Sequence, residues 1–587
     1  MLFNKYLGPY YRKFILFYII GFLALIFVDY IQLYLPEYLG EIIRIVRTGG
    51  TEIGSLIWKM LLVAAGIWFG RMFWRLTIFY AARKIESNIR ADMFKKAETL
   101  TQTYFHANNV GTLMDWFTND LDEVEEYLGW GFVMLVDAIF LSIFVVFKIV
   151  RLDIIELHSG ILTLITAIPI VLIMIWGLLV EKVMAQKWEE RQKEFDRLYD
   201  FTRESFTGIR VIKAFVKERQ EMKAFYKEAK RNKDANLRMV KVHIIFETII
   251  EFIIGIMIIV LMVAGGYMVI KGVYLAEQLV TYIGYVDSII WPMIALGQII
   301  SMRSRAKASL KRITNYLDTE VDIFDKEDAY ELEDCKGEIT FNHLNFSFSD
   351  EPDRLVLKDI NLKINAGERV GVVGKIGTGK TTLANILLRL YNVNPDSVLI
   401  DGHDIMNIKI NSLRKHVAYA MQDNFLFSDT IHNNIAFSDK NLSNEIVRKA
   451  AMFADVDANI VNFKDGYDTV SGERGVTLSG GQKQRIGIAR AYIKDSPILI
   501  LDDSVAAVDL KTEETILANI FANRKDKTTI LIASRVSTVI NMDKIIVLKD
   551  GEVEAFDTPA NLEKNSETFK KMVYLQKLEQ EVEGGAI

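Results

Sequence analysis

Six apolar stretches fill the first half of this chain and limit what it can fold into. They run at roughly 13–35, 55–80, 129–150, 158–181, 243–270 and 274–301, and each meets the ~20 residues that a helix needs to cross a bilayer. Inside hydrocarbon every backbone N–H and C=O must be satisfied within the protein, which leaves helices as the only solution for runs of this kind. The first run continues through Asp29 and Tyr30 to Pro36 without a small-residue cleavage site, so it is expected to stay as a span rather than be removed as a signal. Segments rich in Lys and Arg, such as 83–96 and 182–241, separate span two from three and span four from five. The positive-inside rule puts them in the cytoplasm. The short links 151–157 and 270–273 are then external and both termini internal. The two inner connections are long enough to be helices that run well past the membrane, since ~40 helical residues reach ~60 Å. Their tips are placed around 109–120 and 204–215, two amphipathic turns that each carry a helix breaker.

Ionisable residues inside spans are costly and are therefore functional candidates. Asp29, Asp137, Glu247, Glu251 and Asp287 are acidic, and Glu247 and Glu251 share a helix face, as do Arg71 and Arg75. The acids line a cavity that favours cationic amphiphiles, pair structurally with Arg71, Arg75 or Lys148, or lie near the membrane interface.

At 587 residues the chain exceeds the ~250 to 300 residues at which a single core stops growing. It splits near residue 315. Beyond it, apolar segments are short and alternate with Gly and charges, which reconciles 51% hydrophobic residues with 25% charged ones. A net charge of -5 gives no sign of nucleic acid as a partner. The single cysteine, Cys335, excludes an intrachain disulfide and a cysteine-cluster metal site. The expected organisation is a six-span membrane domain at 1–315 with long intracellular extensions, an acidic linker at 316–336, an α/β P-loop NTPase domain at 337–575, and a tail at 576–587.

The soluble half is organised around Gly374, Lys375, Ile376, Gly377, Thr378, Gly379, Lys380, Thr381 and Thr382, which fit G-x-x-x-x-G-K-[ST] between a strand-forming run at 369–373 and a helical run at 382–390. That context makes the motif a phosphate cradle. Its glycines let backbone N–H groups converge on phosphates at a helix N-terminus, with Lys380 reaching the β and γ phosphates and Thr381 offering a hydroxyl to Mg²⁺. Upstream, Phe348 is either a purine-stacking ring or a buried strand aromatic. Gln422 follows an apolar strand, and Ser479, Gly480, Gly481 and Gln482 open a helix that Ser479 would cap. The apolar run 498–501 ends in Asp502 and Asp503, as a buried parallel strand presenting a metal-binding carboxylate would.

The order of these motifs, the phosphate loop at 374–382, Gln422, LSGGQ at 478–482 and the strand ending in Asp502, resembles the nucleotide-binding domain of ABC transporters. With the six preceding spans, nearly the whole chain resembles an exporter-type half-transporter. The resemblance implies that Phe348 stacks on adenine and that Gln422 senses the γ phosphate and can join Thr381 and Asp502 around Mg²⁺. It implies that residues 479–482 grip ATP bound to a partner domain, and that Asp509 is the D-loop aspartate. Residues 472–475 and the loop tips near 115 and 208 would carry coupling between the halves. ATP-driven closure of two such domains would switch a membrane cavity between inward and outward access, in the cytoplasmic membrane of a bacterium, with membrane lipid and small hydrophobic or amphiphilic substrates as partners.

Two positions depart from the family. The Glu that usually follows the metal aspartate is Asp503, and the His that usually contacts the γ phosphate is Ser534. Retracting a carboxylate by about 1 Å can cost ~10²-fold, and losing the imidazole removes a polar contact to the transferring group. The combination resembles the degenerate-site subunit of bacterial heterodimeric multidrug exporters: it binds ATP, cleaves it slowly and completes a competent site on a second subunit that carries the Glu and His. A homodimeric lipid or peptide exporter and an ATP-gated channel or sensor are the alternatives.

Overall fold

In the computed structural model, residues 4–50, 53–472, 475 and 478–584 are described. They form two compact units, one of Met1–Lys96 with Val110–Thr319 and the other of Ala97–Asn109 with Glu320–Ile587.

The first unit holds six helical segments long and apolar enough to cross a membrane: Ile15–Thr48, Ile53–Thr99, Val110–Glu156, Ile161–Thr207, Glu218–Ile270 and Ala276–Asp318. The fifth, at 53 residues, is about 80 Å long, well over twice the hydrocarbon thickness. Small residues set the approach of the first two spans. A Cβ on Gly70 would lie 2.4 Å from Val28 Cγ2, and one on Gly21 would lie 2.4 Å from Ile78 Cγ1, so these glycines let the backbones close together as small residues do in membrane helices. Of the five membrane acids, Glu247 lies 3.3 Å from His243 on its own helix, Asp29 is buried, and Asp137 accepts from Trp291 at 3.2 Å.

The first inner tip sits earlier than the sequence suggests. Thr101 and Asn108 are extended and bracket a short helix, Gln102–Ala107, while helix resumes at Val110 and takes Gly111 into its interior. Gly111 does not break the chain there because the turn has already been made by the extended residues before it. The second tip falls as expected: the helix Ile161–Thr207 stops at Gly208, and Ile209–Ala214 is a separate short helix. Residues 576–584 are likewise not a loose tail but the last turns of a helix, Glu567–Gly584.

The second unit contains two sheets. Strands β1 (Ile339–Ser347), β2 (Leu355–Ile364), β4 (Val398–Ile400) and β5 (His403–Asp404) form an antiparallel sheet in the order β2-β1-β4-β5. Strands β3 (Arg369–Gly374), β6 (Val417–Ala420), β7 (Ile498–Asp502), β8 (Thr528–Ile532), β9 (Lys544–Lys549) and β10 (Glu552–Asp557) form the other, in the order β10-β9-β3-β8-β7-β6. All neighbours in it are parallel except β10 with β9. Every residue of β7 and β8 is buried, which is why they read as unbroken apolar runs rather than alternating ones. The carboxyl ends of β3, β6, β7 and β8 share one edge. Ligands of open parallel sheets bind outside that edge.

Candidate nucleotide site

Four strand ends deliver the candidate residues to this edge. β3 ends in Gly374, where a Cβ would lie 2.4 Å from Leu548 O, so any side chain would push β9 away. The loop then turns through Gly377 (φ 85) and Gly379 (φ 92), left-handed conformations that glycine adopts without strain. Gly379 precedes the helix Lys380–Leu387, whose first N–H groups are the anion-binding end. Lys375 and Ile376 lie on the exposed outer side of the loop, Thr378 is buried beneath it, and Thr382 is buried in the helix.

The Lys380 ammonium folds back onto its own loop and donates to Gly374 O at 2.9 Å and Lys375 O at 3.0 Å. Burial pushes its pKa down, while the Asp503 and Asp502 carboxylates push it back up. Asp502, at the end of β7, is 1% exposed. Burial raises its pKa, and hydroxyl donors from Thr381 and Tyr419 oppose that rise. Tyr419 Oη lies 3.0 Å from Asp502 Oδ2. A buried carboxylate beside a threonine hydroxyl is an all-oxygen donor set, the kind Mg²⁺ takes. Asp502 and Thr381 would hold the ion, which would offset phosphate charge when bound. Gln422 is instead held 3.5 Å from Asp503 Oδ2.

Asp503 sits on a left-handed turn, φ 47, a conformation that Asp tolerates better than most residues with a side chain. Its N–H donates to Ile532 O at 2.9 Å. Its Oδ1 accepts from Ser534 N at 3.3 Å and Ser534 Oγ at 3.2 Å. The structure therefore brings Gln422, Asp503 and Ser534 together, all on the open side of the edge.

The helix Gly480–Tyr492 begins at Ser479, whose hydroxyl accepts from Gln482 N while Gln482 Oε1 accepts from Ser479 N at 2.9 Å. This reciprocal cap is the one expected of the motif. Gly480 faces open space, and a Cβ on Gly481 would crowd Ala507 O at 3.0 Å. Asp509 caps Leu510–Asn523 through Thr512 N at 3.0 Å. Glu473 and Arg474 lie outside the described residues.

Phe348 is half-buried and meets Phe346 and Tyr391 edge to face at 5.3 and 5.4 Å. It is thus partly a packing residue, and Tyr391 is a second ring at the same place.

Several residues at the site carry no mark in the sequence. Gln484 accepts from Ala507 N at 2.9 Å and donates to Asp503 O at 3.4 Å, linking the signature helix to the turn beyond β7. Gln576 Oε1 accepts from Val536 N at 2.9 Å and Ser537 N at 3.1 Å, and its amide donates to Ser537 Oγ. Glu513, 3% exposed, takes Arg535 and Thr538. The turn that carries Ser534 is therefore gripped from two helices. A strand-end tyrosine beside a strand-end aspartate could have suggested Tyr419; a lone glutamine 39 residues from its partner could not have suggested Gln576.

Comparison with known proteins agrees with this layout. Residues 18–293 match the family described as ABC transporter transmembrane region, and residues 357–506 match the ABC transporter family. The chain is 32% identical over 588 residues to the probable multidrug resistance ABC transporter ATP-binding/permease protein YheI of Bacillus subtilis, covering 99% of each. It is 30% identical to the multidrug resistance-like ATP-binding protein MdlA of Escherichia coli, over 94% of this chain and 93% of that one. It is 32% identical to an ATP-dependent lipid A-core flippase of Syntrophus aciditrophicus, over 82% of this chain and 78% of that one. A solved bacterial Atm1-family ABC exporter with ATP bound superposes with a TM-score of 0.75 at 24% identity, covering 98% of this chain and 99% of the other.

Proposed function

This chain belongs to the ABC transporter family, as a multi-pass cytoplasmic membrane protein whose ATPase is coupled to transport; on that premise we propose that it exports hydrophobic or amphiphilic compounds as one subunit of a heterodimer, with a pocket of its own that cleaves ATP slowly. Export of drug-like compounds is supported by the multidrug-resistance names of the relatives YheI and MdlA. The slow pocket is supported by a single observation: Asp503 and Ser534, at the ends of β7 and β8 where the family usually carries Glu and His, are hydrogen-bonded to each other.

The residues divide the work accordingly. The phosphate loop, Lys380 and Thr381 bind and orient ATP, and Asp502 with Thr381 holds its Mg²⁺. Asp503 is the base nearest the attacking water. It is one methylene shorter than Glu and drawn toward Ser534, so the water is polarised less well. Ser534 offers a hydroxyl where an imidazole would reach further. Residues 479–482 stay intact, so the chain can close over ATP held by a second subunit.

Affinity purification of the full chain from its own host tests the heterodimer. The expected result is a different half-transporter at equal stoichiometry, with Glu after its strand-end Asp. Recovery of this chain alone, active as a homodimer, would favour the lipid exporter that the flippase relative represents.

A further inference from the structure

Arg71 stands near the middle of the second span. It lies twelve residues from Lys59 on one side and twelve from Arg83 on the other, with only Arg75 charged between them, or about 18 Å of helix in each direction. A guanidinium at that depth is costly and faces a protein interior or a water-filled pathway rather than lipid. Here it borders a cavity of about 760 Å³ between the first two spans, whose wall includes Gln32, Leu35, Trp68, Met72 and Arg75. The cavity is an open cleft rather than an enclosed pocket, with room for an amphiphile along the two spans.

The charges on the wall are one-sided. Arg71 and Arg75 line the cavity; Asp29 and Asp137 do not. Both carboxylates are within electrostatic reach of Arg71, yet neither forms an ion pair with it within 4 Å among the described residues. Asp29 is 3% exposed. Its Oδ1 takes Gln32 Nε2 at 3.4 Å and its Oδ2 has no partner among the described residues. Asp137 is turned to Trp291. The two acids thus lie within electrostatic reach of Arg71 without pairing with it, and the arginine forks remain available to the cavity. Arg75 also rests 5.3 Å from the Trp74 ring, which holds its guanidinium near the wall.

We propose that this cavity binds amphiphiles carrying an anionic head, with Arg71 and Arg75 taking a carboxylate, sulfonate or phosphate and with Trp68, Met72 and Leu35 covering the apolar body. Planar guanidinium forks bind such oxyanions bidentately, and desolvation at mid-membrane strengthens the contact. A cation in the same place would face two like charges. The inference rests on the export reading and narrows it: substrates of this transporter are selected for negative charge, the opposite of what five acidic residues in the spans suggest.

Decyl sulfate and decyltrimethylammonium, which share an alkyl tail and carry heads of opposite charge, test this. The full-length transporter is placed in phosphatidylcholine nanodiscs, and binding of each amphiphile is measured by equilibrium dialysis after subtracting its uptake by protein-free discs. The expected result is about tenfold tighter binding of the sulfate, a preference abolished in R71Q/R75Q and kept in R71K/R75K. Should R71Q/R75Q fold poorly, R75Q alone is expected to reduce the preference several-fold. Equal affinities, a preference for the ammonium, or an undiminished preference in the glutamine variants overturns the proposal. ATP-driven uptake of anionic, neutral and cationic amphiphiles into vesicles separates the two readings: equal uptake of all three contradicts only this inference, and no uptake of any of them contradicts the export reading.

Discussion

The two sides of the nucleotide pocket are built differently. On the binding side, Gly374 is wedged against β9, Asp502 is 1% exposed, and β7 and β8 are buried throughout. On the cleaving side, Gln422, Asp503 and Ser534 are joined by contacts of 3.2 to 3.5 Å at the open rim. Rigid strands fix the first group, whereas the second hangs on turns whose position depends on Gln484, Gln576 and Glu513. On the proposed reading, binding and cleavage rest on different parts of the pocket, so substitutions can change one without the other.

Four experiments break or sharpen that contrast. Lys380→Met strikes the binding side by removing charge-assisted contacts to phosphate, and equilibrium binding of labelled ATP is expected to weaken by about 100-fold. The joint change Asp503→Glu with Ser534→His strengthens the cleaving side only. Steady-state ATPase of the assembled transporter is expected to rise by about 10- to 100-fold in the turnover this pocket contributes, with ATP affinity unchanged. In that background Gln576→Ala leaves Val536 N and Ser537 N without their partner. We expect kcat to fall about fivefold with KM unchanged, and Gln576→Glu, which keeps the two acceptor contacts, to restore most of it. Tyr419→Phe takes one hydroxyl from Asp502 and is expected to lower unfolding stability by about 1 kcal/mol, read by chemical denaturation, with under about twofold effect on ATP affinity.

Much of this was legible in the sequence because the physics is local. The six spans follow from apolar length alone, and the phosphate loop from a glycine pattern between a strand and a helix. Asp502 and Asp503 follow from a fully apolar strand that ends in acid. What escaped is nonlocal. Gly111 reads as a helix breaker and puts the first inner tip at 109–120, yet Thr101 and Asn108 make the turn. Residue 576 reads as part of a tail because no periodicity shows that its side chain reaches the Ser534 turn. The membrane acids drew notice as charges, but only the fold reveals that Asp29 is buried while Arg71 and Arg75 hold the cavity wall.

The most direct measurement is the ATPase rate of the purified full chain alone, with bound nucleotide quantified in the same sample. We predict ATP retained at close to one per chain, with hydrolysis barely above background, so that Asp503→Asn has little turnover left to remove. Vigorous turnover that Asp503→Asn abolishes would contradict a pocket that binds without cleaving.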